Sequence, residues 1–339
     1  MCLTLLPPGR MVEKRTSNGN AYKIWEDFPP VPRIYDQLLD CALYIYPSAR
    51  QAQKGSQAGG SGFLVKMDSG FRGLSHFFAV TARHVVEDGT CGVIRLNTHD
   101  GVFDVIPISD DRGWVCSVED DLAVAFVEPS SQFKYKAVPD NLFLTRQDVI
   151  DLRIGPGSEA AIVGRFVNHE GRQRNLPCVR CGNVAMMADE QEKVRISEKP
   201  ERFQEAFLVE LHTKCGYSGS AVFLSASTVH FGTSHFNVLE HESGTRPPDL
   251  PSAWPRLLGV HMGQVRDTVS SKVKADQMDT GMAIVIPSWR LAALLKAPKL
   301  LARMEKAKQD FLAPSPTTLE SVNEPAKLVN RKKRKAPDK

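Results

Sequence analysis

Ser218 stands in the run Gly216-Tyr217-Ser218-Gly219-Ser220-Ala221-Val222, where glycines flank a hydroxyl on a turn that leads straight into an apolar, strand-like segment. A serine that attacks a carbonyl needs backbone N–H groups beside it to take the charge that develops on oxygen, and small neighbours let that backbone come close. The N–H groups of Gly216 and Ser218 are the candidates for that oxyanion hole. Gly-x-Ser-Gly alone is equally the composition of an ordinary turn. Two upstream segments give it company. The β-rich run from Ala79 to Val86 delivers His84 near its end, as a general base would be delivered, and Asp121 heads the apolar run Leu122 to Val127, where a carboxylate can orient and charge-stabilise an imidazole. Asp120, and Asp110 and Asp111 in a turn-like stretch, are rival carboxylates. Asp121 is preferred because packing of the strand beside it fixes its backbone. Ser220 has no glycine two residues ahead and is expected to turn away and pack. The chemistry of such a set is acyl transfer through Ser218, which requires no metal or organic cofactor.

In the order Thr81-Ala82-Arg83-His84, Asp121-Leu122-Ala123-Val124 and Gly216-Tyr217-Ser218-Gly219, the chain resembles the trypsin-like serine peptidases of the chymotrypsin fold. His84 and Asp121 lie 37 residues apart and Ser218 follows after 97 more, spacings that suit a first and a second barrel. Gly60 to Val65 resembles the strand before the histidine, Gly259 to Gly263 the substrate-binding strand after the nucleophile, and Gly281 to Pro287 the last barrel strand. Within that superfamily the bare motifs are most similar to non-secreted bacterial proteins. The resemblance implies an all-β fold of two antiparallel six-stranded barrels and a serine endopeptidase acting through His84, Asp121 and Ser218 on protein or peptide substrates. Three positions depart from the digestive enzymes. Ser220 and Ala221 stand where those have glycine and proline, Arg83 replaces a small residue, and Tyr217 replaces an aspartate that receives a newly cut N-terminus. The last change implies a site that needs no proteolytic activation.

The resemblance also places the primary pocket. Thr213, five residues before the nucleophile, and His261 on the Gly-x-His strand are similar to the pair in peptidases that cut after Gln or Glu. A hydroxyl and an imidazole donor would pair with a side-chain carbonyl oxygen and reject residues lacking one. His212 is expected to face the pocket base and to disfavour Lys or Arg. Against this, His261 reads equally as a satisfied barrel histidine, because position on a strand does not fix its face. The competing functional class is a peptidase-fold module that binds peptides or protein partners without cutting them.

The elements that must position these residues are short. Between about residues 35 and 135, apolar runs at Ala42 to Tyr46, Gly62 to Val65, Phe77 to Thr81, Val93 to Leu96, Val102 to Ile106 and Leu122 to Val127 alternate with turn residues, the pattern of an antiparallel barrel. A second series, at Glu159 to Phe166, Val179 to Met187, Phe207 to Leu211, Ala221 to Leu224, Leu257 to His261 and Met282 to Ile286, predicts a second barrel over about 150–288. Residues 1–34 and the stretch from Pro47 to Gly60 read as surface connections. The proline-broken stretch 225–256 reads as a lid, a binding loop or a mobile insertion without a role. Helical spacing of apolar residues over 289–313, interrupted at Pro298, predicts a helix that caps the second barrel.

Net charge bounds the partners. The 339-residue chain carries +4, and residues 314–339 supply that excess with seven Lys or Arg against Glu320, Glu324 and Asp338. The folded part therefore lacks a polybasic signature, and Arg331 to Lys335 reads more readily as a solvated, disordered tail than as a contact for nucleic acid or an acidic partner. The apolar start from Met1 to Pro8 is broken by prolines, unlike a secretory signal, and no apolar run is long enough to predict a membrane span. Seven scattered cysteines read as reduced thiols, so a cytoplasmic protein is expected. Cys178 and Cys181 invite a metal or redox reading, but a second ligand pair or a helix start is missing, and residues three apart on a strand face opposite ways.

Overall fold

Alternation of apolar and turn-forming residues becomes antiparallel pairing along most of the chain. The computed structural model describes residues 10–15, 21–26, 34, 36–55, 59–71, 73–88, 91–108, 113–166, 171–198, 201–211, 213, 216–224, 255–266 and 279–312. Its first element is a hairpin of β1 (Arg10–Arg15) and β2 (Ala21–Glu26), in a segment expected to be irregular.

The first sheet contains β3 (Ala42–Tyr46), β4 (Gly60–Asp68), β5 (Ser75–Thr81), β6 (Val93–Asn97), β7 (Phe103–Pro107), β8 (Val115–Cys116) and β9 (Ala123–Val127). Their spatial order is β7-β6-β3-β4-β5-β9-β8, and the short β10 (Val138–Pro139) adds in parallel to β4. Among the described residues this sheet stays open, where a closed six-stranded barrel was expected. The physical reason lies at its ends: β7 finishes on Pro107, which has no N–H to donate, and β8 offers only two residues, both paired to β9.

The second half closes fully. β11 (Glu159–Gly164), β12 (Cys178–Met186), β15 (Phe207–Glu210), β16 (Ala221–Leu224), β17 (Leu257–Arg266) and β18 (Asp279–Pro287) form a six-stranded barrel in the order β11-β12-β15-β18-β17-β16. A separate hairpin of β13 (Val194–Glu198) and β14 (Glu201–Gln204) sits between β12 and β15 in the sequence. The six expected runs of the second series all become barrel strands.

Helices are few. Short α1 (Asp36–Leu39) precedes β3, and α2 (Ala49–Lys54) occupies the stretch expected to be a surface connection, its N-terminus capped by Ser48 and its C-terminus ended by Gly55 at φ 69°. α3 (Arg146–Asp151) joins the two halves behind a capping box of Thr145 and Asp148. The expected C-terminal helix is two helices, α4 (Ser288–Leu295) and α5 (Pro298–Leu312), because Pro298 disfavours helical backbone just before it. Their position also differs from a cap on the second barrel alone. Leu291, Leu295 and Leu300 are fully buried in one cluster with Phe63, Phe78 and Val124 of the first sheet and with Phe223, Val260 and Ile286 of the barrel. The helices therefore seal the joint between the two sheets. Each such leucine contributes roughly 1.5–3 kcal/mol of apolar burial.

No described helix is long and apolar enough to cross a membrane. Cys178 is partly buried and Cys181 exposed on β12, both as free thiols. Of the loop expected at 225–256, residues 225–254 lie outside the described residues, as does the basic tail at 314–339.

Candidate active site

His84 and Asp121 meet because β5 and β9 are paired. The register Thr81↔Ala123 brings the residues just after β5 beside those just before β9, and Arg83 N–H donates to the Asp121 carbonyl at 3.1 Å. His84 then sits in a single 3₁₀ turn, Arg83–Val85, that follows extended Ala82. The Asp121 carboxylate grips this turn twice, accepting from the His84 backbone N–H at 2.8 Å and facing His84 Nδ1 at 2.6 Å. A carboxylate facing Nδ1 fixes the proton there and leaves Nε2 as the basic nitrogen.

Burial pulls the His84 proton affinity down, but the hydrogen bond and charge of Asp121, with Glu87 beyond, outweigh it and raise the pKa above the ordinary 6.5. The ring keeps nearly half of its surface exposed, while Asp121 is 13 % exposed, so the imidazole is reachable and its anchor is enclosed. Asp120 points elsewhere, into an ion pair with Arg290. Asp110 and Asp111 lie outside the described residues.

Ser218 lies on a turn held from outside itself. Gly216 has φ 100° and Gly219 φ 87°, both in the region that favours glycine. A Cβ on Gly219 would also stand 2.2 Å from the Ser61 carbonyl oxygen and from Thr81 Oγ1. Ser61 N–H donates to the Ser218 carbonyl at 2.9 Å, Ser61 Oγ donates to the Gly216 carbonyl at 2.6 Å, and Gly219 N–H donates to the His261 carbonyl at 2.8 Å. Among the described residues the N–H groups of Gly216 and Ser218 donate to no other group.

The two turns converge on Gly60, where an added Cβ would lie 2.9 Å from Val85 Cγ2 and 3.0 Å from the Ser218 carbonyl oxygen. The Ser218 hydroxyl donates to the Met262 carbonyl at 3.2 Å, so in this structure it is directed to β17. Ser220 is fully buried, with its hydroxyl packed toward Gly164. Tyr217 is buried in the barrel core.

Thr213 and His261 come together at 3.1 Å through Oγ1 and Nε2, both residues 2 % exposed. His261 Nδ1 faces the Tyr217 carbonyl at 3.1 Å, which can only accept, so Nδ1 carries the proton and Nε2 takes the Thr213 hydroxyl. Burial drives the His261 pKa down to about 4, against the upward pull of the Tyr217 hydrogen bond and with a further downward push from His84. The ring is therefore neutral at pH 7. Gln264 completes the chain by donating from Nε2 to Thr213 Oγ1 at 2.6 Å. His212 lies outside the described residues.

Sequence reasoning missed Gln264 and Ser61. Gln264 follows His261 on the same strand, but a register shift between His261 and Gly263 turns it to the same side, which no strict two-residue alternation would anticipate. Ser61 was read only as part of a strand. Among the described residues no three His, Cys, Asp or Glu side chains are placed to share a metal ion.

A closed six-stranded barrel facing an open antiparallel sheet, with a histidine–aspartate pair and a glycine-flanked serine, agrees with a chymotrypsin-like fold. No family model and no curated protein matches the chain. Among solved structures it is similar to the Rv3671c protease of M. tuberculosis in its inactive form, at 13 % identity and TM-score 0.40 over 76 % of this chain and 88 % of that one. The active form of the same protease matches at 12 % identity and TM-score 0.39, over 77 % of this chain and 81 % of that one. Its Ser343Ala mutant matches at 11 % identity and TM-score 0.41, over 82 % and 93 %. Overlap this loose carries nothing about activity, which has to be read from the side chains of this chain.

Proposed function

We propose that the protein is a serine endopeptidase in which Ser218 attacks a peptide carbonyl, His84 carries the proton from hydroxyl to leaving amine, and Asp121 orients the ring and stabilises its cation. One observation carries this reading: Asp121 holds the His84 backbone and Nδ1 at once, at 2.8 and 2.6 Å. A packed core histidine has no need of a double grip that leaves Nε2 free. The N–H groups of Gly216 and Ser218 would receive the oxyanion. Rotation of Ser218 about its Cα–Cβ bond, away from the Met262 carbonyl, is the step that presents its hydroxyl to His84. The test is a fluorophosphonate probe, which reacts only with an activated serine. Labelling of the wild type, lost in Ser218→Ala and His84→Ala, is the expected result; an unlabelled wild type would overturn the reading.

The specificity reading is Gln, and less readily Glu, before the scissile bond. Its support is the pairing of Thr213 with a neutral His261 at 3.1 Å, which provides no imidazolium to balance a carboxylate at pH 7; a substrate amide oxygen would have to take the Thr213 hydroxyl proton from His261. Sequencing of peptides released from a denatured proteome checks it, and dominance of basic or large apolar residues at that position would sink it.

One observation favours the alternative of a silent, peptide-binding module: the Ser218 hydroxyl is engaged with Met262. Peptide binding without probe labelling would decide for it.

A further inference from the structure

Asp120, the neighbour of the triad aspartate, is 6 % exposed and fully partnered. Its two carboxylate oxygens accept from Arg290 Nε at 2.9 and 3.0 Å, and Oδ1 also accepts from Gln204 Nε2 at 2.8 Å. The amide of Gln204 has its orientation set by chemistry, because its nitrogen faces two acceptors, Asp120 Oδ1 and the Glu205 carbonyl. Its oxygen therefore faces the other way, and accepts from the backbone N–H of Asp121 at 3.3 Å. Arg290 belongs to α4, whose buried leucines seal the joint between the sheets, and its other arm reaches Glu119 at 2.5 Å. A continuous polar path thus runs from the C-terminal helix through Asp120 and Gln204 to the residue that holds His84.

We propose that Arg290, acting through Asp120 and Gln204, is a positioning residue for the triad: it holds the loop that carries Asp121 and cancels the second carboxylate beside it. This rests on the peptidase reading above. Asp120 adjoins Asp121 in the chain and is tied to its backbone through Gln204, so a negative charge left uncompensated there would strengthen the hold of His84 on a proton. The charged groups acting on His84 are Asp121 and Glu87, with Arg83 already paired to Glu87 at 2.7 Å; His261, which feels the charge of His84, is neutral across the range of the test. Those facing Asp120 are Arg290 and, through that arginine, Glu119. Arg290 is thus the cation that balances this corner.

The test follows the second-order rate of fluorophosphonate labelling of the full chain from pH 5 to 9, with the thermal midpoint of each variant measured alongside. Arg290→Gln leaves Asp120 unopposed and should move the acid limb of the profile up by about half a pH unit; Asp120→Asn leaves the guanidinium unopposed and should move it down by about as much. The double variant should return the limb to its original place. Arg290→Lys, which keeps the charge but loses the two-point grip, should leave the limb unmoved and lower the high-pH plateau several-fold; it also serves if Arg290→Gln does not fold. Limbs that shift the same way in both single variants, or not at all while labelling persists, would overturn the proposal alone. A wild type that is not labelled overturns the peptidase reading and this one with it.

Discussion

The hydroxyl of Ser61 donates to the carbonyl of Gly216 at 2.6 Å, tying a strand of the first sheet to the peptide that leads into the Ser218 turn. The same oxygen accepts from Arg165 N–H at 2.8 Å, so one buried serine joins the open sheet, the edge of the barrel and the Ser218 turn. A turn with glycines at positive φ on both sides of its serine has little torsional preference of its own. Its shape is imposed by neighbours: His261 bonds Tyr217, Gly219 and Ser220 from the barrel side, and Ser61 bonds Gly216 and Ser218 from the first sheet.

Ser61→Ala therefore removes a donor from the Gly216 carbonyl and an acceptor from Arg165 N–H. Unsatisfied buried groups of this kind cost about 1–3 kcal/mol, to be read from urea unfolding. Because Gly216 also carries a candidate oxyanion donor on its own N–H, one peptide before the tethered carbonyl, labelling of Ser218 should slow by roughly tenfold or more, in line with partial loss of such a donor. Loss of stability with labelling at the wild-type rate would show that the turn keeps its shape alone.

Asp121 raises the proton affinity of His84, and the sign of the effect on activity follows. On the proposed mechanism His84 takes a proton only when neutral, so the rate should rise with pH through a midpoint above the ordinary histidine value of 6.5. Asp121→Asn removes both the charge and the tautomer control. It should lower the rate by on the order of 10³–10⁴-fold, the magnitude known for this change in a serine triad, and bring the midpoint down. An unmoved midpoint would mean that Asp121 does not act on the ring.

Much of this candidate site is legible in the sequence. Asp121 abuts a continuous apolar run and His84 ends one, and because the two runs are neighbouring strands in register, the pairing of β5 with β9 delivers both residues together. What stayed hidden depends on three-dimensional neighbours that sequence separation conceals. Ser61 and Gly216 are 155 residues apart, and Arg290 and Asp120 are 170 apart. The open edge of the first sheet was hidden for a local reason, since the two-residue β8 is too short to show any alternation. The placement of α4 between the sheets was hidden as well: a helical stripe of leucines reports that one face is buried, and says nothing of what buries it.

That placement makes a stability prediction. Leu291→Ala would empty volume from a cluster lined by both sheets, at a cost of about 2–5 kcal/mol. Since the cavity would open on residues of both halves, one cooperative transition should shift as a whole. Fluorescence and far-ultraviolet circular dichroism recorded through the same urea titration should move to the same lower midpoint. Separation of the two curves would mean that the halves are stabilised independently.

His261 makes the acid side of the stability curve testable. Burial holds its pKa at about 4 in the folded protein, against about 6.5 in an unfolded chain. Between those values the unfolded chain binds more protons, so this residue's contribution is complete above about pH 6.5 and is lost progressively as the pH falls toward 4, by about 3 kcal/mol at most. The loss has a structural counterpart: a proton on Nε2 would oppose the Thr213 hydroxyl that donates to it, and would place a cation in a site that is 2 % exposed. His261→Gln keeps a polar side chain and cannot titrate in this range. Urea unfolding at pH 7, 5.5 and 4.5 should show the wild type losing its advantage over the variant as acid is added. Carboxylates common to both proteins cancel in that difference. A difference that stays constant across the three pH values would mean that His261 titrates alike in the folded and unfolded protein, and so does not sit in the buried chain of hydrogen bonds described here.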